Sequence, residues 1–71
     1  MTPEELGAIV RAARRDAGLT QELLAGAAGT GVRFIVELEA GKPTIQLGKV
    51  LAVLDLLGLR VIIDRIGRKR Q

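Results

Sequence analysis

The amino-acid sequence predicts a small, mainly α-helical domain that ends in one β-strand. Four stretches repeat apolar residues at three- and four-residue steps, the spacing that gives a helix a single apolar face. After Gly58 the step shortens to two residues, which is the spacing of a strand. The chain has 71 residues and one aromatic side chain, Phe34, so its core must come from Leu, Ile, Val and Ala. A chain this short buries little surface alone, which favours a second subunit.

The first predicted helix begins at Thr2, which can cap it together with Glu5 in the pattern T-x-x-E. Pro3 occupies the first helical position, where its missing N–H is not needed. The apolar residues that follow share one face and are Leu6, Ile9, Val10, Ala13 and Ala17. We expect Gly18 to end this helix.

Two further short helices are predicted on either side of the sequence GTG. Thr20 opens the first of them, and Gly29, which suits a left-handed C-cap, follows its last residue. The second begins near Val32 and ends at Gly41. So tight a turn prevents the two helices from lying antiparallel, and they must cross at a steep angle. This predicts a helix-turn-helix unit over about residues 20–40.

The fourth predicted helix, about residues 45–57, is apolar on most sides. One stripe consists of Leu47, Val50, Leu51, Leu54 and Leu57, and a second of Ala52, Val53 and Leu56. Helices of this kind are usually buried, and a monomer of this size has too little mass to cover one. The pattern therefore also favours a partner subunit.

The strand is predicted over about residues 59–65, which are rich in β-branched side chains. A lone strand cannot satisfy its backbone hydrogen-bonding groups, so we expect it to pair with its own copy in a symmetric homodimer. The residues predicted to form this dimer contact are Leu59, Val61, Ile62 and Ile63. We expect one domain over residues 1–66, followed by a basic tail over residues 67–71.

Composition and charge exclude several classes of function. The chain has no Cys and no His, and we therefore predict no disulfide, no metal site, no cofactor and no enzyme activity. No apolar stretch approaches the ~18 residues of a membrane span, which predicts a cytoplasmic protein. Basic residues cluster at Arg11, Arg14 and Arg15 and again in the tail. Such clusters favour nucleic acid as a partner, although a solvated surface is the alternative.

The segment Leu19–Lys42, LTQELLAGAAGTGVRFIVELEAGK, resembles the helix-turn-helix of the Cro/C1-type (Xre) repressors. The positions that carry the resemblance are Thr20, Gln21, Ala25, Gly29, Ile35, Leu38, Glu39, Gly41 and Lys42. The resemblance implies a lambda-repressor-like DNA-binding domain of four to five helices. It also implies that the second helix of the motif is a recognition helix, which lies in the major groove of double-stranded DNA.

The chain is also similar, over about residues 6–66, to the HipB-like antitoxins of type II toxin–antitoxin systems. This similarity depends on ELEAGKPT at residues 37–44 and on VLAVLDLLGLRVIID at residues 50–64. It implies a homodimeric transcriptional repressor that binds a palindromic operator, regulates its own operon and neutralises a HipA-like or other toxin. The alternative is a helix-turn-helix scaffold that acts mainly as a protein-interaction module.

The resemblance implies a set of DNA-binding residues on the front of the recognition helix and beside it. They are Gln21, Gly31, Val32, Arg33, Val36, Glu37 and Lys42. Arg33 could read a guanine, hold a phosphate or simply be solvated, and Val32 and Val36 could meet thymine methyl groups or pack against neighbouring helices. The resemblance implies that Gln21 binds a phosphate and braces the recognition helix, the alternative being ordinary helix capping, and that Lys42 contacts a phosphate.

Three charged residues need separate expectations. Arg14 and Glu39 match the positions of a buried salt bridge in the lambdoid repressors, which would make Arg14 structural; the alternative is two unrelated surface charges. Glu37 is an acid on a face expected to meet phosphates, which is unfavourable unless it faces a cytosine amino group or a lysine.

Phe34 is a poor stacking platform alone, and we expect it at the edge of the core or near the dimer contact.

Overall fold

A computed structural model of the chain describes residues 1–66, which contain four α-helices. They are α1 (Pro3–Asp16), α2 (Gln21–Ala28), α3 (Val32–Ala40) and α4 (Leu47–Leu56). The mainly α-helical class is confirmed, with four helices in the described part of the chain. None of these helices is long and apolar enough to cross a membrane. The basic tail predicted over residues 67–71 lies outside the described residues.

The helix starts follow the capping residues that the sequence predicts. In α1 the Thr2 hydroxyl accepts from the Glu5 backbone N–H at 3.1 Å, and the Thr2 backbone N–H donates to the Glu5 carboxylate at 2.7 Å. In α2 the Thr20 hydroxyl accepts from the Leu23 backbone N–H at 3.1 Å. These bonds satisfy donors that a helix start would otherwise leave without a partner.

The core is one cluster of aliphatic side chains contributed by all four helices. Its buried members are Val10, Leu24, Ala25, Ile35, Leu38, Val50, Val53 and Leu54. Helix α3 packs against both α1 and α2, and α4 packs against α2. Phe34 is half-buried at the edge of the cluster, as predicted. Helix α3 is thus held from its inner side, and its opposite side is left uncovered.

Helix α4 is less buried than the sequence predicts. Only Val50, Val53 and Leu54 are buried, whereas Leu47 and Leu51, which we predicted in the core stripe, are exposed. The reason is geometric: α4 packs mainly against α2, along one stripe, and most of its remaining surface is exposed.

The strand predicted over residues 59–65 is wrong for the single chain, because no strand forms among residues 1–66. A strand requires a neighbouring segment for its backbone hydrogen bonds, and none pairs with this one. Leu59, which we predicted in the dimer contact, instead packs against the chain's own core, and its backbone N–H donates to the Leu54 carbonyl at 2.8 Å. Val61, Ile62 and Ile63 are exposed.

Helix α1 approaches the backbone of α3 most closely at Gly7. A Cβ atom at this position would lie 2.6 Å from the Leu38 carbonyl oxygen and 2.7 Å from the Glu39 carbonyl oxygen. Both atoms belong to the backbone, so they cannot move away as a flexible side chain would. The absence of a side chain at residue 7 therefore sets the distance between α1 and α3.

We expect Gly7→Ala to lower the free energy of unfolding by about 1–3 kcal/mol, because the helices must separate to admit the methyl group. Gly26→Ala is the matched control: a Cβ there meets nothing within 4 Å, and residue 26 is also helical. The control should be unchanged or more stable by about 0.4–1 kcal/mol. Urea denaturation followed by circular dichroism measures both, and equal effects of the two substitutions would contradict the close approach.

Candidate nucleic-acid interface

Helices α2 and α3 are joined by a three-residue turn, Gly29 to Gly31. Gly29 has φ of 71°, and the Thr30 backbone N–H donates to the Ala25 carbonyl at 2.9 Å. This glycine conformation and this hydrogen bond end α2, and α3 begins only three residues later. Gly31 caps α3 without a side-chain hydrogen bond. The two helices form the helix-turn-helix unit that the sequence predicts.

A buried ion pair fixes α3 to the rest of the fold. Arg14 Nε donates to Glu39 Oε2 at 2.6 Å, and Arg14 Nη2 donates to Glu39 Oε1 at 3.0 Å. Arg14 Nη1 donates to the Leu19 carbonyl at 2.9 Å, and Gln21 Nε2 donates to Glu39 Oε1 at 3.1 Å. The Arg14 and Glu39 side chains are only 10% and 4% exposed. The last turns of α1 and α3 and the first residue of α2 thus meet at one carboxylate.

The environment of Glu39 keeps this pair charged. Burial disfavours the carboxylate, but hydrogen bonds from Arg14 and Gln21, together with the charges of Arg14 and Arg11, hold the pKa of Glu39 below its ordinary value. The hydrogen bond with Glu39 raises the pKa of Arg14. Both groups are therefore ionised at neutral pH, and the bidentate geometry leaves Arg14 committed to Glu39.

The outer side of α3 carries four of the residues expected to contact DNA: Val32, Arg33, Val36 and Glu37. The two valines are exposed, and the Arg33 side chain is 89% exposed. Glu37 Oε2 lies 3.4 Å from Arg33 Nε and 3.3 Å from Lys42 Nζ. This acid therefore faces a lysine, which is one of the two conditions that make it tolerable at this position.

The remaining expected DNA contacts lie at the edges of this surface. Lys42 follows Gly41, and its backbone N–H donates to the Glu37 carbonyl at 3.0 Å, so the end of α3 holds it beside Glu37. Gly31 is exposed at the start of α3. Gln21 is half-buried, and its side-chain nitrogen is bonded to Glu39. That bond orients the Gln21 side chain. The spacing of residues in the sequence did not indicate that Gln21 would bond to Glu39.

Two further features border α3 and were not among the expected contacts. A cleft of about 490 Å³ beside α3 is lined by Arg11, Arg14, Arg15, Gln21, Val36, Glu39 and Ala40. The sequence shows the basic residues of α1 that line this cleft, but only the folded structure shows that they lie beside α3.

Lys49 Nζ lies 5.8 Å from the centroid of the Phe34 ring, a cation–π contact that joins α4 to α3. No group of side chains suited to a metal ion occurs among residues 1–66.

We expect Arg14→Met and Glu39→Leu each to lower the free energy of unfolding by about 3–5 kcal/mol, because each leaves a buried charge without a partner. The double variant should lose much less than the sum, since it removes both charges together. Urea denaturation of the four proteins measures the coupling. Arg15→Met, an exposed arginine on the same helix, is the control for side-chain length. Additive losses would contradict a coupled pair.

Comparison with known proteins matches this geometry to a family. The family described as helix-turn-helix domain matches residues 5–61 of the chain. A relative from Sinorhizobium fredii, the uncharacterized HTH-type transcriptional regulator y4mF, is 54% identical over 99% of this chain and 92% of its own length. A solved structure named MDT Protein superposes with a TM-score of 0.80 over 93% of each chain at 24% identity, which shows a shared fold. The chain belongs to the helix-turn-helix domain family.

Proposed function

We propose that this chain is a sequence-specific DNA-binding transcriptional repressor of the Xre-like kind. Family membership and the relative named as a transcriptional regulator support DNA-binding regulation. The observation that carries the proposal is that Arg33 and two valines are exposed on the outer side of α3, while its inner side is packed in the core. A rigid helix with one uncovered polar and apolar side suits the major groove.

The contacts divide by position. A nine-residue helix is about 13 Å long, short enough for its exposed side to lie within the major groove. Arg33, near the start of α3, has a side chain that can reach the two acceptors of guanine, and Val32 and Val36 offer apolar contact to thymine methyl groups. Lys42 and Gln21, at the two edges, suit phosphates, which fix the position of a protein on DNA without reading sequence.

We propose further that the chain acts as a homodimer on a palindromic operator. The exposed apolar residues concentrate after α4 and on it: Leu51, Leu56, Val61, Ile62, Ile63 and Ile66. Ile63 is 92% exposed. A cleft of about 340 Å³ beside them is lined mainly by apolar side chains. So many exposed apolar side chains favour a protein contact, and dimeric helix-turn-helix proteins read half-sites about 34–36 Å apart.

The antitoxin role is the most specific part of the proposal. It is supported by the similarity of residues 37–44 and 50–64 to HipB-like antitoxins, and it implies autoregulation in the cytoplasm and a HipA-like or other toxin as partner. Co-expression with the product of the adjacent gene tests it, since a toxin should co-purify in a fixed ratio. Co-purification without any DNA affinity would favour the protein-interaction module instead.

We expect the chain to bind its own upstream DNA with an affinity that falls steeply as salt increases, because phosphate contacts release counterions. Arg33→Ala should weaken binding by about 1–3 kcal/mol and relax sequence preference. Arg65→Ala removes the same charge from the segment after α4, outside the α3 surface, and should change affinity little. Fluorescence anisotropy over a series of salt concentrations measures both. Binding that does not respond to salt would contradict the proposal.

We expect Val61→Asp and Ile63→Asp to yield monomers with much weaker operator binding, because a charge in an apolar contact loses hydration without gaining a partner. Leu23→Asp is the matched control, since Leu23 is an exposed apolar residue on α2. Sedimentation velocity gives the oligomeric state, and anisotropy gives the DNA affinity. Unchanged sedimentation of both variants would exclude this surface as the dimer contact.

A further inference from the structure

The outer side of α3 contains one acidic residue among groups that would meet a polyanion. That residue is Glu37, whose side chain is 30% exposed. The other carboxylate of α3, Glu39, is turned inward and bonded to Arg14. Glu37 has no structural partner of this kind, because both of its ion pairs are with cations of the same uncovered surface, Arg33 and Lys42.

The fold holds these three charges together. Arg33 lies four residues before Glu37, so the two side chains occupy the same side of the helix one turn apart. Lys42 is held beside Glu37 by the left-handed Gly41, which has φ of 84°, and by its own backbone bond to the Glu37 carbonyl. One carboxylate oxygen serves both cations, at 3.4 Å from Arg33 and 3.3 Å from Lys42. Together the three side chains carry a net charge of +1 instead of +2.

We propose that Glu37 is a specificity-determining residue that acts as an internal counter-ion. In the free protein it neutralises part of the charge of Arg33 and Lys42. On DNA these cations transfer to base edges and phosphates, and the carboxylate is left facing the groove. The N4 amino group of cytosine is the donor that a Glu carboxylate pairs with there, whereas guanine and thymine present only acceptors or a methyl group to it. Glu37 therefore penalises guanine and thymine at the position it faces and favours cytosine at one position of each half-site.

This inference rests on the proposed DNA-binding function, and its test keeps the two apart. The wild type, Glu37→Gln and Asp55→Asn are each used to select binding sites from a pool of random-sequence duplexes. Each is then titrated against one random-sequence duplex at several salt concentrations. Asp55→Asn is the matched control, because it removes one exposed carboxylate from α4, and it reports the effect of net charge alone. Thermal unfolding of the three proteins shows that each is folded.

We expect the wild type and Asp55→Asn to select sites with a fixed cytosine, and Glu37→Gln to lose that preference. We also expect Glu37→Gln to bind the random duplex about fivefold more tightly than Asp55→Asn, because it frees the exposed ion pairs with Arg33 and Lys42. Its plot of log affinity against log salt should be steeper by about 0.9, the value for one more phosphate contact.

Two results would overturn the inference alone. They are selection of the same sites by Glu37→Gln and the wild type, and a random-duplex affinity of Glu37→Gln no greater than that of Asp55→Asn. Failure of the wild type to bind or select any duplex would instead overturn the proposed function, and the inference with it. A preference for adenine, which also presents an amino donor in the major groove, would overturn the assignment to cytosine.

Discussion

The arrangement of this small domain depends on the ion pair between Arg14 and Glu39. Both side chains are almost completely buried, so each charge would be costly without the other. The pair lies where the last turn of α1, the last turn of α3 and the start of α2 converge, and Gln21 donates the third hydrogen bond to the same carboxylate. An aliphatic core tolerates small rotations of a helix, whereas a bidentate pair requires one geometry. The direction of α3, and with it the exposed side, follows from that requirement.

The close approach of α1 and α3 at Gly7 complements the ion pair. Residues 7 and 14 are about two helical turns apart and lie on the same side of α1. At one, the absence of a side chain lets the backbones approach; at the other, a long side chain spans the wider gap to Glu39. The two contacts hold the same part of α3, residues 38 and 39, against two points along α1.

Much of the fold could be predicted because its signals are local. Thr2 and Thr20 mark helix starts, and Gly29 and Gly41 mark helix ends, whatever the neighbours are. Signals that depend on distant partners were less reliable. The two-residue apolar pattern after Gly58 describes a segment suited to a sheet, but the sequence contains no second strand to pair with it. The apolar sides of α4 likewise do not indicate which partner would cover them. The resemblance implied that Gln21 braces the recognition helix, but Glu39 was not named as its partner, since no spacing in sequence brings residues 21 and 39 together.

The two arginine–glutamate pairs that involve α3 differ in exposure, and the difference assigns them different roles. The Arg33 side chain is 89% exposed, and an ion pair in water at 3.4 Å contributes about 0–1 kcal/mol, so DNA can replace it at little cost. Breaking a buried pair such as that of Arg14 costs about 3–5 kcal/mol, more than a phosphate contact returns. The chain thus buries the pair that orients α3 and leaves the pair of Arg33 and Glu37 exposed and easily exchanged. Arginine content alone could not separate these roles, because only burial distinguishes them.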